Sequence, residues 1–296
     1  MRVAPAVGVD LGGTKIAAGV VDEAGAVLHT ARRDTPDGAE AVVDAIAGVI
    51  EELGAEARDL PVGIGAAGFV DAARERVLFA PNLGWVDVAL TAAVAARVHG
   101  PVVLENDANA AAWAEARFGA GTGASAMVLV TVGTGIGGGI VLDGALFRGG
   151  FGVAGEFGHL ALVADGRPCG CGQSGCWEQY ASGGALSRAA REQLGIADVK
   201  AAIRAGDPAA LGLLAEIGTW LGAGLAAVAA VLDPEVVVVG GGVVENGDLL
   251  LEPARAEFRR RLPAAQHRPV AEIRAARLGP AAGMVGAADL ARAGAR

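Results

Sequence analysis

Three cysteines and one histidine lie close together in this chain. They are its only cysteines, they are spaced Cys-x-Cys-x4-Cys, and a histidine stands ten residues before the first; the set is His159, Cys169, Cys171 and Cys176. Three thiolates and one imidazole form a closed tetrahedral ligand set for a structural zinc ion. Glycines among the cysteines allow the tight turns that bring three sulfurs together. Because three cysteines cannot all pair in disulfides, the spacing favours a structural zinc site.

Two carboxylates bracket this cluster, Glu156 before the histidine and Glu178 after the last cysteine. A zinc ion that holds the loop would also fix the directions of these two side chains. Ionised carboxylates only accept hydrogen bonds, which suits a polyol substrate that offers O–H donors. We therefore interpret residues 156–178 as a metal-bound substrate loop.

A glycine-threonine turn follows the first apolar segment of the chain. The segment ends near Asp10, and the turn Gly12-Gly13-Thr14 leads through Lys15 into a second apolar segment. The glycines let backbone N–H groups approach an anion closely, and the threonine adds a hydroxyl donor. Asp10, near the strand end, could reach a hydrated Mg²⁺ ion. Taken alone, the segment fits an ordinary hairpin equally well.

The same pattern recurs in residues 126–139, where a strand is followed by Gly133-Thr134-Gly135 and a second strand. A shift of 121 residues places Gly12 on Gly133 and Asp22 on Asp143. An internal repeat of this kind indicates two similar half-folds. Two such turns opposed across a cleft would hold a chain of phosphates from both sides.

A third glycine turn comes late in the chain. Residues 236–239 are a continuous run of valines, as in a buried parallel strand, and Gly240 and Gly241 follow. In open α/β sheets, ligands bind outside the carboxyl ends of the strands. This turn could therefore support the base or ribose of a nucleotide, although a plain strand-to-helix turn is an alternative.

The residues best suited to catalysis are Asn106 and Asp107. An apolar strand delivers them to its end, and an alanine-rich helix over residues 108–117 begins there. Asp107 then lies near the positive end of a helix. The structural alternative is a helix N-cap, where Asp and Asn are both favoured. In the company of two phosphate loops, Asp107 becomes a candidate general base beside an amide that can bind a hydroxyl.

Composition restricts the possible partners and compartment. A chain of 296 residues is long enough for two domains, and its net charge of −9 argues against nucleic acid as the main partner. Hydrophobic residues make up 53% of the chain, but 47 residues are glycine, and the apolar segment 217–232 looks too short to span a membrane comfortably. The start of the chain lacks the regions of a signal peptide. We expect a cytoplasmic protein without a membrane segment.

Together these motifs resemble the ROK family of sugar kinases, repressors and open-reading-frame proteins, and among its members the bacterial glucokinases. The resemblance covers essentially the whole chain. It is carried by the segments Asp10–Lys15, Glu105–Asn109, Gly133–Gly139, Gly155–His159 and Cys169–Glu178.

The resemblance implies the actin-like, ribonuclease H-like ATPase fold, in which two α/β domains surround a cleft and close over ATP and a sugar. The small domain would be residues 1–110 plus 281–296, and the large domain residues 111–280, with the zinc-stapled loop 156–178. The family pattern makes Asp107 the catalytic base; the implied sugar contacts are Asn106, Asp107, Glu156, His159 and Glu178. His159 would place one ring nitrogen on zinc and the other toward the sugar.

The implied activity is Mg²⁺-dependent transfer of a phosphoryl group from ATP to the 6-hydroxyl of glucose, by a homodimer or homotetramer. Alternatives are a kinase for N-acetylmannosamine, fructose or allose, a polyphosphate-dependent kinase, or, in a different class, a non-catalytic sugar sensor or repressor. Repressors of the family carry a DNA-binding domain before the first phosphate loop, and because Asp10 comes so early in this sequence we expect no such domain. Many relatives have proline before the glycine that corresponds to Gly68, whereas this chain has Ala67; this affects a detail of the sugar-side loop.

Overall fold

The structure, a computed structural model, describes residues 4–294, which form two compact units. Among the described residues, the first unit comprises residues 4–123, 139–155 and 277–294. The second unit comprises residues 124–138 and 156–276. These units are defined by the contacts within each of them. The predicted domain boundaries at residues 110 and 281 describe instead the parts that would close over substrates, and they stay a prediction.

The first unit begins with two hairpin-linked strands and their crossover partners. In chain order the elements up to residue 118 are β1 Ala6–Leu11, β2 Lys15–Val21, β3 Val27–Asp34, α1 Ala39–Glu51, β4 Val62–Ala66, β5 Phe69–Val70, β6 Val77–Ala80, β7 Trp85–Val88, α2 Leu90–Ala95, β8 Val102–Asn106 and α3 Asp107–Phe118. The main sheet has the order β3-β2-β1-β4-β8, and β5, β6 and β7 form a small separate sheet. Strands β1, β4 and β8 are parallel, so their carboxyl ends lie along one edge.

The remaining elements repeat this plan. They are β9 Ala126–Val132, β10 Ile136–Leu142, β11 Ala145–Leu146, α4 Glu178–Ala181, α5 Gly183–Leu194, α6 Val199–Arg204, α7 Pro208–Leu232, β12 Val236–Gly240, α8 Asp248–Arg261, β13 Glu272–Ala275 and α9 Ala282–Gly294. The second sheet has the order β11-β10-β9-β12-β13, and β9, β12 and β13 are parallel. The shift of 121 residues carries β2 onto β10. The predicted repeat is therefore confirmed.

The closing helix α9 packs on the first sheet through glycines. A Cβ atom at Gly8 in β1 would collide with the carbonyl of Met284, and one at Gly63 in β4 with the carbonyl of Ala287. Glycine allows the helix backbone to approach the strands this closely, and neighbouring apolar side chains are buried around the contact. This close packing holds the edge at which β1, β4 and β8 end.

Helix α7 is longer than the sequence pattern predicted. The Asp207 side chain caps it by accepting hydrogen bonds from the N–H groups of Ala209 and Ala210, both at 2.9 Å, and proline occupies the first helical position. The helix therefore reaches 25 residues, so the expectation that it is too short to cross a membrane is wrong as regards length. Of its most apolar window, 61% is buried inside the protein, as in the core helix of a globular protein.

Candidate active site

Asp107 is the first residue of α3 and stands at the carboxyl edge of the first sheet. Asn106, rather than Asp107, caps this helix: its side-chain oxygen accepts a hydrogen bond from the N–H of Asn109 at 2.9 Å. The Asn106 amide nitrogen donates to the carbonyl of Gly68 and to Asp107 Oδ1, both at 3.1 Å. The cap alternative for Asp107 is therefore wrong, because its neighbour performs that role and leaves the carboxylate for chemistry.

The surroundings of Asp107 make it a better base than an ordinary carboxylate. Burial and the nearby charge of Asp10 raise the pKa of Asp107 to about 6, although its Oδ1 accepts a hydrogen bond from the N–H of Ala108 at 2.9 Å. A proton acceptor works best when its pKa lies near the working pH. This value lies well above the ordinary carboxylate pKa of about 3.9, so Asp107 is a stronger base than an exposed aspartate.

Asp10, near the end of β1, forms the second part of this acidic site. Burial raises its pKa, and the positive charge of Lys15 opposes that effect. Two carboxylates that repel each other at a sheet edge beside a phosphate loop suit a hydrated divalent cation, because Mg²⁺ prefers oxygen ligands and retains several waters. The residues present therefore fit magnesium.

The first phosphate loop joins β1 to β2. Its turn is closed by a hydrogen bond from the N–H of Gly12 to the carbonyl of Lys15 at 3.1 Å. Thr35 binds the loop from outside: its hydroxyl donates to the carbonyl of Gly12 at 2.8 Å, and its N–H donates to the carbonyl of Thr14 at 3.1 Å. Residues 13–15 are exposed, so the predicted anion-binding groups lie at the surface of this unit.

The second phosphate loop joins β9 to β10 and is held by the start of α5. The N–H of Gly183 donates to the carbonyl of Gly133 at 2.8 Å, and that of Gly184 donates to the carbonyl of Thr134 at 3.1 Å. Ser182 caps α5 by accepting from the N–H of Ala185 at 3.1 Å. Sequence reasoning missed this contact; the signal was the sequence Ser182-Gly183-Gly184, a capping residue followed by two residues that allow close approach.

The third glycine turn, after β12, has a structural requirement for one of its glycines. Gly241 has φ +88°, and a Cβ atom there would lie 2.5 Å from the carbonyl oxygen of Val132 at the end of β9. Gly240 is buried as the last residue of the strand. The turn therefore lies beside the second phosphate loop, and its contact with a nucleotide stays a prediction.

The four predicted zinc ligands come together. A ring nitrogen of His159 and the sulfurs of the three cysteines all lie within 4.8 Å of one another. Cys169 Sγ is 3.7 Å from His159 Nδ1, and Cys171 Sγ is 3.6 Å from Cys176 Sγ. A tetrahedral zinc site with metal–ligand bonds of about 2.3 and 2.0 Å has edges of about 3.8 Å between sulfurs and about 3.5 Å between sulfur and nitrogen. The group therefore fits a structural zinc ion.

The cysteines of this cluster need a cation to become thiolates together. Cys169 and Cys176 are buried and Cys171 is exposed. Burial and the neighbouring thiols raise the pKa of the Cys176 thiol. Zinc binding displaces such protons and couples ligand binding to the folding of the loop.

Both bracketing glutamates contact the frame of this loop, Glu156 through its backbone and Glu178 through its side chain. Glu156 precedes the short 3-10 turn Phe157–His159, and its carbonyl accepts a hydrogen bond from the N–H of His159 at 3.1 Å. Glu178 begins α4; its Oε1 lies 3.1 Å from Cys169 Sγ, and its Oε2 accepts from the N–H of Ile136 at 3.4 Å. The second unit thus brings together the zinc ligands, Glu178 and the second phosphate loop.

Glu105 is an ionic residue whose role the sequence did not reveal. Its side chain is 1% exposed and pairs with Arg74 at 2.9 Å and Arg148 at 2.8 Å. It also accepts hydrogen bonds from the side chain of Asn109 at 3.1 Å and from the backbone N–H of Asn106 at 3.0 Å. Glu105 therefore fixes the strand end that carries Asn106 and Asp107. The sequence signal was a carboxylate on an otherwise apolar strand, which requires a buried partner.

Comparisons with known proteins agree with this geometry. A model of the ROK family matches residues 6–294. A glucokinase of Streptomyces coelicolor is 49% identical over 97% of both chains. The structure of a ROK family glucokinase from Streptomyces griseus in complex with glucose and AMPPNP is 50% identical and covers 98% of this chain and 100% of that one, with a TM-score of 0.89. The structure of a ROK hexokinase from Thermus thermophilus is 40% identical and covers 96% and 97%, with a TM-score of 0.83.

Proposed function

We propose that this chain, which belongs to the ROK family, is a glucokinase that transfers the γ-phosphoryl group of ATP to the 6-hydroxyl of glucose. The observation that carries the proposal is the position of Asp107, a carboxylate with a pKa of about 6 at the carboxyl edge of a sheet that also ends in a phosphate loop. The similarity to a glucokinase solved with glucose and an ATP analogue supports the choice of both substrates.

The nucleotide would be bound by the glycine-threonine turns that follow β1 and β9. The residues that would contact its phosphates are Gly12, Gly13, Thr14, Lys15, Gly133, Thr134 and Gly135. Gly240 and Gly241 would support the nucleoside. Asp10 would hold the magnesium ion that accompanies ATP, and this ion would supply neutralisation of the charge that develops during transfer.

The sugar would be bound mainly by groups that accept hydrogen bonds from its hydroxyls. Glu156 and Glu178 suit this role as carboxylates, and His159 would offer the ring nitrogen that does not face the metal. Asn106 is already engaged with three protein partners. Its contribution to sugar binding therefore combines direct contact with the orientation of Asp107.

Phosphoryl transfer depends mainly on alignment and charge stabilisation. Asp107 would accept the proton of the 6-hydroxyl as that oxygen attacks the γ-phosphorus in line, and the bond to the β–γ bridging oxygen would break. The raised pKa of Asp107 supports this role, because the carboxylate remains mostly ionised at neutral pH and is a stronger base than usual. Exclusion of water would prevent hydrolysis of ATP.

The structural zinc ion would be held by His159, Cys169, Cys171 and Cys176, with no part in the chemical step. We also propose a cytoplasmic enzyme that forms homodimers or homotetramers, with the domain boundaries given by the family resemblance. Its net charge of −9 argues against nucleic acid as a partner.

The test is ADP release with ATP and Mg²⁺ across glucose, mannose, fructose, N-acetylglucosamine and N-acetylmannosamine. Polyphosphate is tested as an alternative donor by the formation of sugar phosphate, because it releases no ADP. We expect strong turnover with glucose, lowered by orders of magnitude in Asp107→Asn while glucose affinity stays within about tenfold. Preference for another hexose would change the substrate, and a near-normal kcat in the variant would remove Asp107 as the base. No turnover with any sugar, in protein that contains zinc, would refute the proposed activity.

A further inference from the structure

Two segments that carry zinc ligands meet at Ile136, the residue that follows the second phosphate loop. The N–H of Ile136 donates to Glu178 Oε2 at 3.4 Å. Its carbonyl packs so closely against Gly158 that no Cβ atom would fit there. Glu178 lies two residues after Cys176, and Gly158 immediately precedes His159. Both sides of this residue's backbone are therefore fixed by the metal loop.

The second of these segments, residues 176–184, contacts the phosphate loop again at its other end. Trp177 is fully buried and donates from its indole nitrogen to the carbonyl of Trp220 at 2.9 Å, which anchors the segment on α7. Its last two residues, Gly183 and Gly184, donate to the loop carbonyls of Gly133 and Thr134. The segment thus connects the zinc ligand Cys176 to the phosphate loop at Gly133 and Thr134 and to the next residue, Ile136.

These contacts decide which way the loop donors face. In a trans peptide the C=O and the following N–H point in opposite directions. Because the carbonyls of Gly133 and Thr134 point toward α5, the N–H groups of Thr134 and Gly135 point away from it. Those are the donors that an anion could reach. Gly135 is also tightly confined, since a Cβ atom there would lie 2.6 Å from Glu178 Oε2.

We infer that the zinc cluster positions the second phosphate loop for the nucleotide, in addition to shaping the sugar loop, with Gly158, Glu178, Gly183 and Gly184 as the positioning residues. The inference rests on the proposed function. It predicts that the metal affects nucleotide affinity even when no sugar is bound.

Even without a metal ion, backbone hydrogen bonds join the two segments at a few points. The N–H of Trp177 donates to the carbonyl of Leu160 at 2.8 Å, and that of Leu162 donates to the carbonyl of Gly175 at 2.9 Å. These bonds pair the segments beside the cluster. Further bonds, from the N–H of Cys169 to the carbonyl of Gln173 and from that of Gly175 to the carbonyl of Arg167, close the turn that carries Cys169 and Cys171, but none of them holds the His159 ring. The metal would restrain all four side chains at once, and through them both contacts with Ile136.

The direct test compares zinc-loaded and zinc-free full-length protein without sugar. After the chelator is removed, metal content is measured, retention of secondary structure is checked by circular dichroism, and the Kd for AMPPNP with Mg²⁺ is determined by calorimetry. We expect zinc removal to weaken binding about tenfold or more, and added Zn²⁺ to restore it. Wild-type protein taken through the same steps without chelator is the control and should bind AMPPNP within about twofold of untreated protein.

A second test does not depend on the stability of the zinc-free protein. Glu178→Ala removes the acceptor for Ile136, whereas Glu178→Gln retains an oxygen that can accept the same hydrogen bond. We expect about fivefold weaker AMPPNP binding for Glu178→Ala and less than twofold for Glu178→Gln, with zinc content unchanged in both. Glucose affinity should fall in both variants, because each loses a carboxylate that would face the sugar.

The outcomes separate this inference from the function on which it rests. If zinc-loaded wild type binds no AMPPNP, the proposed nucleotide donor fails and the inference fails with it. If it binds AMPPNP and folded zinc-free protein binds equally well, the inference alone is refuted, and Trp177 with α5 suffices to hold the loop. Equal loss of nucleotide affinity in both Glu178 variants would refute the role assigned to the hydrogen bond with Ile136.

Discussion

Replacement of Asp107 with Asn should stabilise the folded protein at neutral pH while it abolishes catalysis. The carboxylate lies in a position that disfavours its charged form, through burial and the charge of Asp10. Asn has the same shape, carries no charge and can still accept the hydrogen bonds from the Asn106 amide and the Ala108 N–H. The variant therefore removes the electrostatic cost and retains the local structure.

The magnitude follows from the shift in pKa. The pKa of Asp107 rises from 3.8 to about 6 on folding. Each pKa unit corresponds to about 1.4 kcal/mol, so the carboxylate costs about 3 kcal/mol in the free energy of unfolding at pH 7.5. For a chain of this length that corresponds to an increase in Tm of about 5 °C in the variant.

The sign can be checked against pH. The folded-state pKa lies above the unfolded one, so the cost is fully present above the folded value of about 6 and disappears as the pH falls toward 3.8. At pH 5 about half of the stabilisation should remain. Thermal unfolding of zinc-loaded protein without Mg²⁺ or nucleotide, at several pH values, measures this difference directly.

A matched control uses the exposed carboxylate Asp37. Asp37→Asn changes the net charge by the same amount, and we expect its Tm to stay within about 1 °C of wild type, as for an ordinary surface substitution. The reasoning about Asp107 would be refuted by a variant that is no more stable than wild type at pH 7.5. A stabilisation of constant size from pH 7.5 to pH 5 would equally contradict the assigned cause.

Four further substitutions test the frame around the site. Glu105→Ala should lower the free energy of unfolding by about 3–5 kcal/mol in denaturant titrations, because it leaves two arginines near the site without their buried partner. Glu115→Ala should lower the free energy of unfolding by about 3 kcal/mol, because the buried carboxylate accepts hydrogen bonds from the N–H groups of Ala120, Arg277 and Leu278. Hydrogen exchange at these three N–H groups should increase, and unchanged exchange would exclude this role. Gly63→Ala should lower the Tm by several degrees, since its methyl group would collide with the α9 backbone; a Tm equal to wild type would contradict the close packing. Cys176→Ser should lose zinc by elemental analysis and expose residues 156–178 to proteolysis, and retained stoichiometric zinc would exclude Cys176 as a ligand.

The parts that the sequence predicted well depend on neighbours in the chain. The zinc ligands lie within 18 residues, from His159 to Cys176, and the glycines between them permit the required turns. The phosphate loops are tight turns between adjacent strands, so their glycines and threonines identify them without knowledge of the rest of the fold. The duplicated plan was visible because strand, turn and strand recur at a constant shift.

Only the tertiary structure determined how the site residues are charged and supported. The pKa of Asp107 depends on burial and on Asp10, which lies on a strand two positions away in the sheet. The partners of Glu105 come from two loops distant in sequence, and the second phosphate loop is held by a helix that begins about 50 residues later. Residue type and local spacing determined which groups could react and bind metal. Long-range packing decided how those groups are protonated and oriented, because burial and neighbouring charges arise only when distant segments of the chain meet.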